Sequence, residues 1–147
     1  MKVHSRRLAL ACILAWLVPG GGHYLLGKRG KSALFLVVVA TTFLTGIGLQ
    51  GRVYLADTEQ PLSYLATFAN VALGPLDLAG RIASYGQIIW RHPPESDRIA
   101  YQRILDRKRS RILAVTHEYG TTFVLTAGLM NILLILDIFD IGIGRKI

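Results

Sequence analysis

Ionisable residues within apolar sequence are the first candidates for chemistry in this chain. His23 lies between two apolar stretches, Asp77 follows a Gly-Pro pair, and Asp137 and Asp140 close the last apolar run. Such a side chain in a membrane segment is costly unless it faces protein, water or a cation, so each is a candidate proton or ion carrier. For His23 we favour a turn histidine bonded to backbone or water, because the sequence nearby offers no relay partner.

The carboxylates also have local interpretations. Asp77 precedes Arg81 by four residues, so the two side chains can pair on one face of a helix. A sharper alternative is a broken helix in which Asp77 and Asn70 line a cavity. Asp137 and Asp140 lie about one turn apart near the end of their apolar run. There we favour pairing with the basic residues that follow over a proton or ion path.

Patterns typical of enzymes and metal sites do not occur in the sequence. Gly30-Lys31-Ser32 resembles the end of a phosphate-binding loop, but Leu25 stands where that loop needs its first glycine. No HExxH or CxxC spacing occurs, and the one cysteine, Cys12, lies in an apolar run. We therefore predict no cofactor, no metal site and no enzymatic activity.

The composition predicts a membrane protein. Hydrophobic residues make up 52% of the 147 residues, and the mean hydropathy of +0.41 is high for a domain that must cover itself with polar side chains. Lys and Arg number 17 against 9 Asp and Glu, and the basic residues bracket long apolar runs. That layout favours anionic lipid headgroups as the partner and no nucleic acid.

The apolar segments predict an all-α, polytopic helical membrane protein with three or four membrane helices and one basic amphipathic surface helix. Spans are predicted at residues 32–50, 62–80 and 119–142, the second kinked at a Gly-Pro pair. Residues 8–31 form either a hydrophobic hairpin or a kinked span, and residues 95–112 form the surface helix on the cytoplasmic side.

The turn within residues 8–31 is the most distinctive stretch. Its apolar start is too short to cross a bilayer, and glycines allow the chain to fold back. The motif comprises Pro19, Gly20, Gly22, His23, Tyr24, Gly27 and Lys28. Over residues 8–50 this pattern resembles small bacterial membrane proteins related to the two-transmembrane-helix domain family. The resemblance implies a membrane hairpin and no established chemistry.

Two further sets of residues are predicted to make contacts. In the last span, Asn131 is suited to helix association, because polar and small residues mediate it in lipid. On the surface helix, basic residues flank an apolar stripe and are expected to contact lipid or a partner. They are Arg98, Arg103, Arg107, Lys108, Arg109 and Arg111.

The orientation follows from the positions of Lys and Arg. Placing the N-terminus, residues 28–31 and residues 81–111 inside puts 14 of the 17 basic residues in the cytoplasm, and requires residues 8–31 to re-enter. Four full spans leave 11 inside if the N-terminus is outside and 6 if it is inside. We favour the first two arrangements, and the sequence leaves the choice between them open.

The predicted role is that of a non-catalytic accessory subunit or scaffold in a multi-pass protein of the bacterial inner membrane. Its expected partners are membrane lipids and either another protein or further copies of itself. The alternative is a small transporter or channel in which Asn70, Asp77 and His23 line a polar path.

Overall fold

The structure, a computed structural model, describes residues 5–58, 60–94, 96–112 and 115–145. In these ranges the chain is helical, with isolated bridges in place of strands, which confirms the all-α prediction. The helices are α1 (Ser5–Leu17), α2 (Gly21–Leu25), α3 (Arg29–Gly48), α4 (Pro61–Val71), α5 (Pro75–Tyr85), α6 (Arg98–Ile112) and α7 (His117–Gly142).

Helices α3 and α7 are the long apolar elements. They contain 20 and 26 residues, with mean hydropathies of 1.7 and 2.1 over their most apolar stretches. At 1.5 Å per residue they measure about 30 and 39 Å, and a hydrocarbon core is about 30 Å thick. By length and composition, two helices of the described chain could therefore cross a membrane.

The two long helices pack antiparallel through small residues. At one end, a Cβ on Gly120 of α7 would lie 2.6 Å from the nitrogen of Gly51 and 2.7 Å from the oxygen of Gly46. Only glycine permits this approach of backbones. At the other end, the chain entering α3 bonds to His23, which in turn contacts Asp137 near the end of α7.

Residues 8–31 fold as a hairpin beside the C-terminal half of α7. Going along α1, Leu8 lies against Gly142, and Ala11 packs with Ile138. The chain then reverses after Leu17, and α2 returns towards the end from which α1 came. The hairpin thus reaches only to the middle of α7.

Residues 62–80 also reverse, where the sequence predicted a kinked span. Thr67 on α4 donates a hydrogen bond to the carbonyl oxygen of Tyr54, and Arg81 on α5 donates to the same oxygen. Because both helices contact one residue of the loop after α3, α4 and α5 form a hairpin. It enters from the end of the bundle opposite to the first hairpin.

The tips of the two hairpins meet beside the middle of α7. Trp16 of α1 donates its indole N–H to the carbonyl oxygen of Val71, at 2.9 Å. Gly74 turns the second tip with φ of 60°, and a Cβ there would lie 2.1 Å from the oxygen of Trp16. A side chain would therefore be both strained and obstructed at this position.

Helix α6 lies at the end where α3 finishes and α7 begins. It docks through Ile104, which is buried with Leu55 and Tyr85. The surface helix was predicted at residues 95–112, and in the structure it begins three residues later, at Arg98.

The fold separates two basic segments that both favoured arrangements had placed on one side. Residues 28–31 lie at the end where α7 finishes, whereas residues 98–111 lie at the end where α7 begins. The physical reason is the reversal at Gly74. Because α4 and α5 form a hairpin, the chain does not run the length of the bundle between the end of α3 and the start of α7. The prediction that placed residues 28–31 and 81–111 on one side, with 14 basic residues, is therefore wrong.

Candidate functional site

Asn131 connects the two hairpin tips. Its side chain is fully buried on α7, and its Nδ2 donates to the carbonyl oxygens of Ala15, at 3.3 Å, and Ala72, at 2.6 Å. The usual helical donor to Ala15 would be the residue four positions later, which is Pro19 and carries no N–H. Ala72 caps the C-terminal end of α4. One amide therefore satisfies carbonyls at two helix ends that approach from opposite directions.

The first ionisable site is the pair His23 and Asp137. The histidine Nε2 lies 3.0 Å from the aspartate Oδ2, and the histidine side chain is fully buried whereas the aspartate is 24% exposed. The ring of Phe35 covers the imidazole edge to face, with centroids 4.9 Å apart. Sequence reasoning missed this pair because 114 residues separate its members. Asp137 bonds the turn histidine, and its predicted pairing with the basic residues after α7 stays a prediction.

The second ionisable site is the pair Asp77 and Arg81 on α5. The guanidinium Nε donates to the carboxylate at 2.8 Å, and both side chains are buried. Arg81 also donates to the carbonyl oxygen of Ile89, at 2.6 Å, and stacks over the ring of Trp90, 4.1 Å from its centroid. The pair at four-residue spacing was predicted and is confirmed. Its neutralised charges and stacked guanidinium give it the character of a structural anchor.

Further polar groups line the interior near these pairs. Asn70 is fully buried on α4, and in the described chain its amide has no hydrogen-bond partner. On α5, Ser84 shares the buried face of Asp77 and Arg81. Asp140, the remaining predicted intramembrane residue, is half-buried in the last turns of α7. The candidate polar residues thus lie on three helices, α4, α5 and α7.

The turn motif is built for close packing. Pro19, Gly20 and Gly22 are buried, and a Cβ on Gly22 would lie 2.3 Å from the oxygen of Ala11. Tyr24 is exposed and carries the guanidinium of Arg29 over its ring, at 5.8 Å from the centroid. The remaining members, Gly27 and Lys28, form the turn into α3.

The predicted contact residues of α6 are exposed where the structure describes their side chains. The side chains of Arg98, Arg103, Arg107 and Arg109 are exposed. The guanidinium of Arg107 also lies against Gly86, where a Cβ would meet it at 2.7 Å. The side chains of Lys108 and Arg111 lie outside the described part of the structure. Over the residues that are described, no three His, Cys, Asp or Glu side chains are grouped so as to hold a metal ion.

Of three comparisons with known proteins, one finds a match. No curated protein and no solved structure matches it. A family match covers residues 10–147 but makes no connection to the two-transmembrane-helix domain family, so that resemblance of residues 8–50 stays a prediction. The chain belongs to the matched family, DUF6677, a family of unknown function.

Proposed function

We propose that this chain is a multi-pass protein of the bacterial inner membrane that acts without catalysis, as an accessory subunit or scaffold of a membrane complex. In this proposal α3 and α7 cross the bilayer, and the two hairpins enter it from opposite faces. Only 17% of the apolar stretch of α3 and 33% of that of α7 are buried inside the protein. The outward apolar side chains suit lipid and neighbouring membrane helices.

The observation that carries the proposal is the position of α6. It docks on the bundle through Ile104 and leaves Arg98, Arg103 and Arg109 exposed at the end of two long apolar helices. Exposed guanidinium groups at that level suit contact with lipid headgroups or an acidic partner. Each basic residue near an anionic surface contributes about 1 kcal/mol to binding.

The test measures binding of phosphatidylglycerol to the purified protein in neutral detergent, read as the rise in the unfolding midpoint with added lipid. Replacing Arg98, Arg103 and Arg109 together by Gln should weaken binding roughly a hundredfold, since three contacts of about 1 kcal/mol are lost. Phosphatidylcholine should give no such rise with either protein.

The matched control replaces the same three arginines by Lys, which keeps the charge and shortens the hydrogen-bonding reach. This variant should retain most of the binding. If the Gln variant binds phosphatidylglycerol as the natural protein does, or if the Lys variant loses as much as the Gln variant, contact through the charges of α6 is excluded.

Transport is the second candidate function, and the partly exposed pair of His23 and Asp137 favours it. His23 and Asp137 lie on one side of Asn131 along α7, and the 24% exposure of Asp137 gives that pair access from outside the bundle. Asn70 lies on the other hairpin, and its buried amide has no hydrogen-bond partner among the described residues. Polar groups on hairpins that meet near a bilayer midplane are typical of transporters.

Reconstituted vesicles containing a pH-sensitive dye separate the two candidates. If protons or cations cross through the protein, Asp137→Asn and Asp77→Asn should each abolish a flux that the natural protein shows. Asp106→Asn, on the exposed side of α6, is the matched control and should leave it unchanged. No flux in the natural protein would exclude transport of the ions tested and leave the scaffold proposal standing.

A further inference from the structure

Basic residues flank both ends of the bundle in similar number. Among the described residues, the end where α3 begins has Arg6, Arg7, Lys28, Arg29, Lys31 and Arg145. The end where α7 begins has Arg52, Arg91 and the six basic residues of α6. Lys2 and Lys146 lie outside the described residues. Counted by position in the sequence alone, four residues before Arg6 and directly after Arg145, they bring the first group to eight as well.

The remaining basic residue contributes nothing to this comparison. Arg81 is buried and paired with Asp77 inside the fold. Orientation in a membrane is set mainly by the difference in Lys and Arg between the two sides, counted over short loops. With the two ends equal, that difference vanishes.

The basic clusters at the starts of the two long helices also favour opposite orientations of the chain. Residues 28–31 contain two lysines and an arginine where α3 begins, and residues 107–111 contain four basic residues shortly before α7. Each cluster by itself favours a cytoplasmic start for its helix. Because α3 and α7 are antiparallel and the α4–α5 hairpin adds no crossing, any single orientation places one of the two clusters on the disfavoured side.

We propose that this chain inserts in both orientations, so that copies of opposite orientation coexist in one membrane. The inference rests on the membrane residence that the proposed function requires. A complex built on such a chain presents α6 on both faces of the membrane. The partner that fits this arrangement best is a second copy of the chain in the opposite orientation.

The test uses single-cysteine reporters that leave the charge unchanged. In a Cys12→Ala background, Gly30→Cys marks the end where α3 begins and Gln102→Cys marks α6. Both positions are exposed, and a Cβ on Gly30 meets no neighbouring atom within 4 Å. Labelling with a membrane-impermeant maleimide is compared between intact and permeabilised bacterial cells.

Insertion in both orientations predicts that each reporter reacts in intact cells to roughly half of its total, because no charge difference selects an orientation. Removing two charges from one end should then drive the population one way. Arg6→Gln with Arg7→Gln should protect Gln102→Cys and expose Gly30→Cys fully. Arg98→Gln with Arg103→Gln should have the opposite effect.

Two outcomes would overturn the inference. Full labelling of one reporter and none of the other means a single orientation. Equal protection of both reporters, with neither reacting in intact cells, means that the two ends lie on the same side. Extraction of the protein by alkaline carbonate would instead contradict the proposed function itself, so the two failures are distinguishable.

Discussion

In the α1–α2 hairpin the buried polar side chain is His23, which bonds Asp137 on α7, whereas in the α4–α5 hairpin Asp77 bonds Arg81 one turn along the same helix. The pair of His23 and Asp137 joins the α1–α2 hairpin to α7, and its aspartate is partly exposed. The second pair is closed within its own hairpin and further fixed by the loop at Ile89. The ionisable pairs of two hairpins of similar outline therefore make different contacts: the first joins its hairpin to α7, and the second joins residues of one helix to each other and to the adjoining loop.

Breaking the second pair should have the largest effect. Arg81→Met leaves the Asp77 carboxylate buried without its cation and should lower the free energy of unfolding by about 3–5 kcal/mol. Chemical denaturation in detergent micelles measures the change. The double variant Asp77→Leu with Arg81→Met removes both charges and should recover most of the loss, and failure to recover would show that the other contacts of Arg81 dominate.

The tip of the second hairpin should be nearly as sensitive. Gly74→Ala meets both a positive φ and the oxygen of Trp16, and should cost about 3 kcal/mol. Gly27→Ala is the matched control, because its φ of 79° is also positive while its Cβ would meet nothing within 4 Å. The difference between the two unfolding free energies reports the obstruction at the tip together with the ψ of −125° at Gly74, and equal values would contradict the contact between the tips.

Asn131 tests the dependence of both hairpins on α7. Asn131→Leu preserves the volume but leaves two buried carbonyl oxygens without their donor, which should cost about 2 kcal/mol. Hydrogen exchange should quicken at both tips, near Leu17 and near Leu73. Faster exchange at one tip alone would show that the amide does not join them.

The pair of the first hairpin should give the smallest effect. Asp137→Asn keeps an oxygen that can accept from His23 and changes only the charge at a site that is 24% exposed, so a loss of about 1 kcal/mol is expected. His23→Phe should cost more, because it removes the hydrogen bond to Asp137 altogether. A loss with Asp137→Asn as large as that with Arg81→Met would abolish the distinction between the hairpins.

Local patterns in the sequence predicted the parts of the fold that depend on neighbours along the chain. The helical class, the positions of α3 and α7 and the start of α6 to within three residues follow from apolar periodicity and from breaks at Pro and Gly. The pair Asp77 and Arg81 follows from a spacing of four residues on one helix. Each of these features is decided within about one helical turn or one segment.

The site residues that lie far apart in sequence were not predictable in this way. His23 had no visible partner because Asp137 is 114 residues away. Asn131 was predicted to associate with helices, but its two acceptors, Ala15 and Ala72, are carbonyl oxygens whose availability depends on where two other helices end. The residue types of Ala15, Ala72 and Asp137 do not identify these residues as partners of Asn131 and His23.

The sequence by itself determined that this chain forms apolar helices that are interrupted at Pro and Gly and flanked by basic residues. Tertiary structure alone decided that Gly74 reverses the chain, because a Gly-Pro pair permits both a kink and a turn. Contacts with Trp16 and Asn131 select the turn. That choice also sets the distribution of charge, since a reversal in place of a crossing moves residues 98–111 to the end opposite residues 28–31.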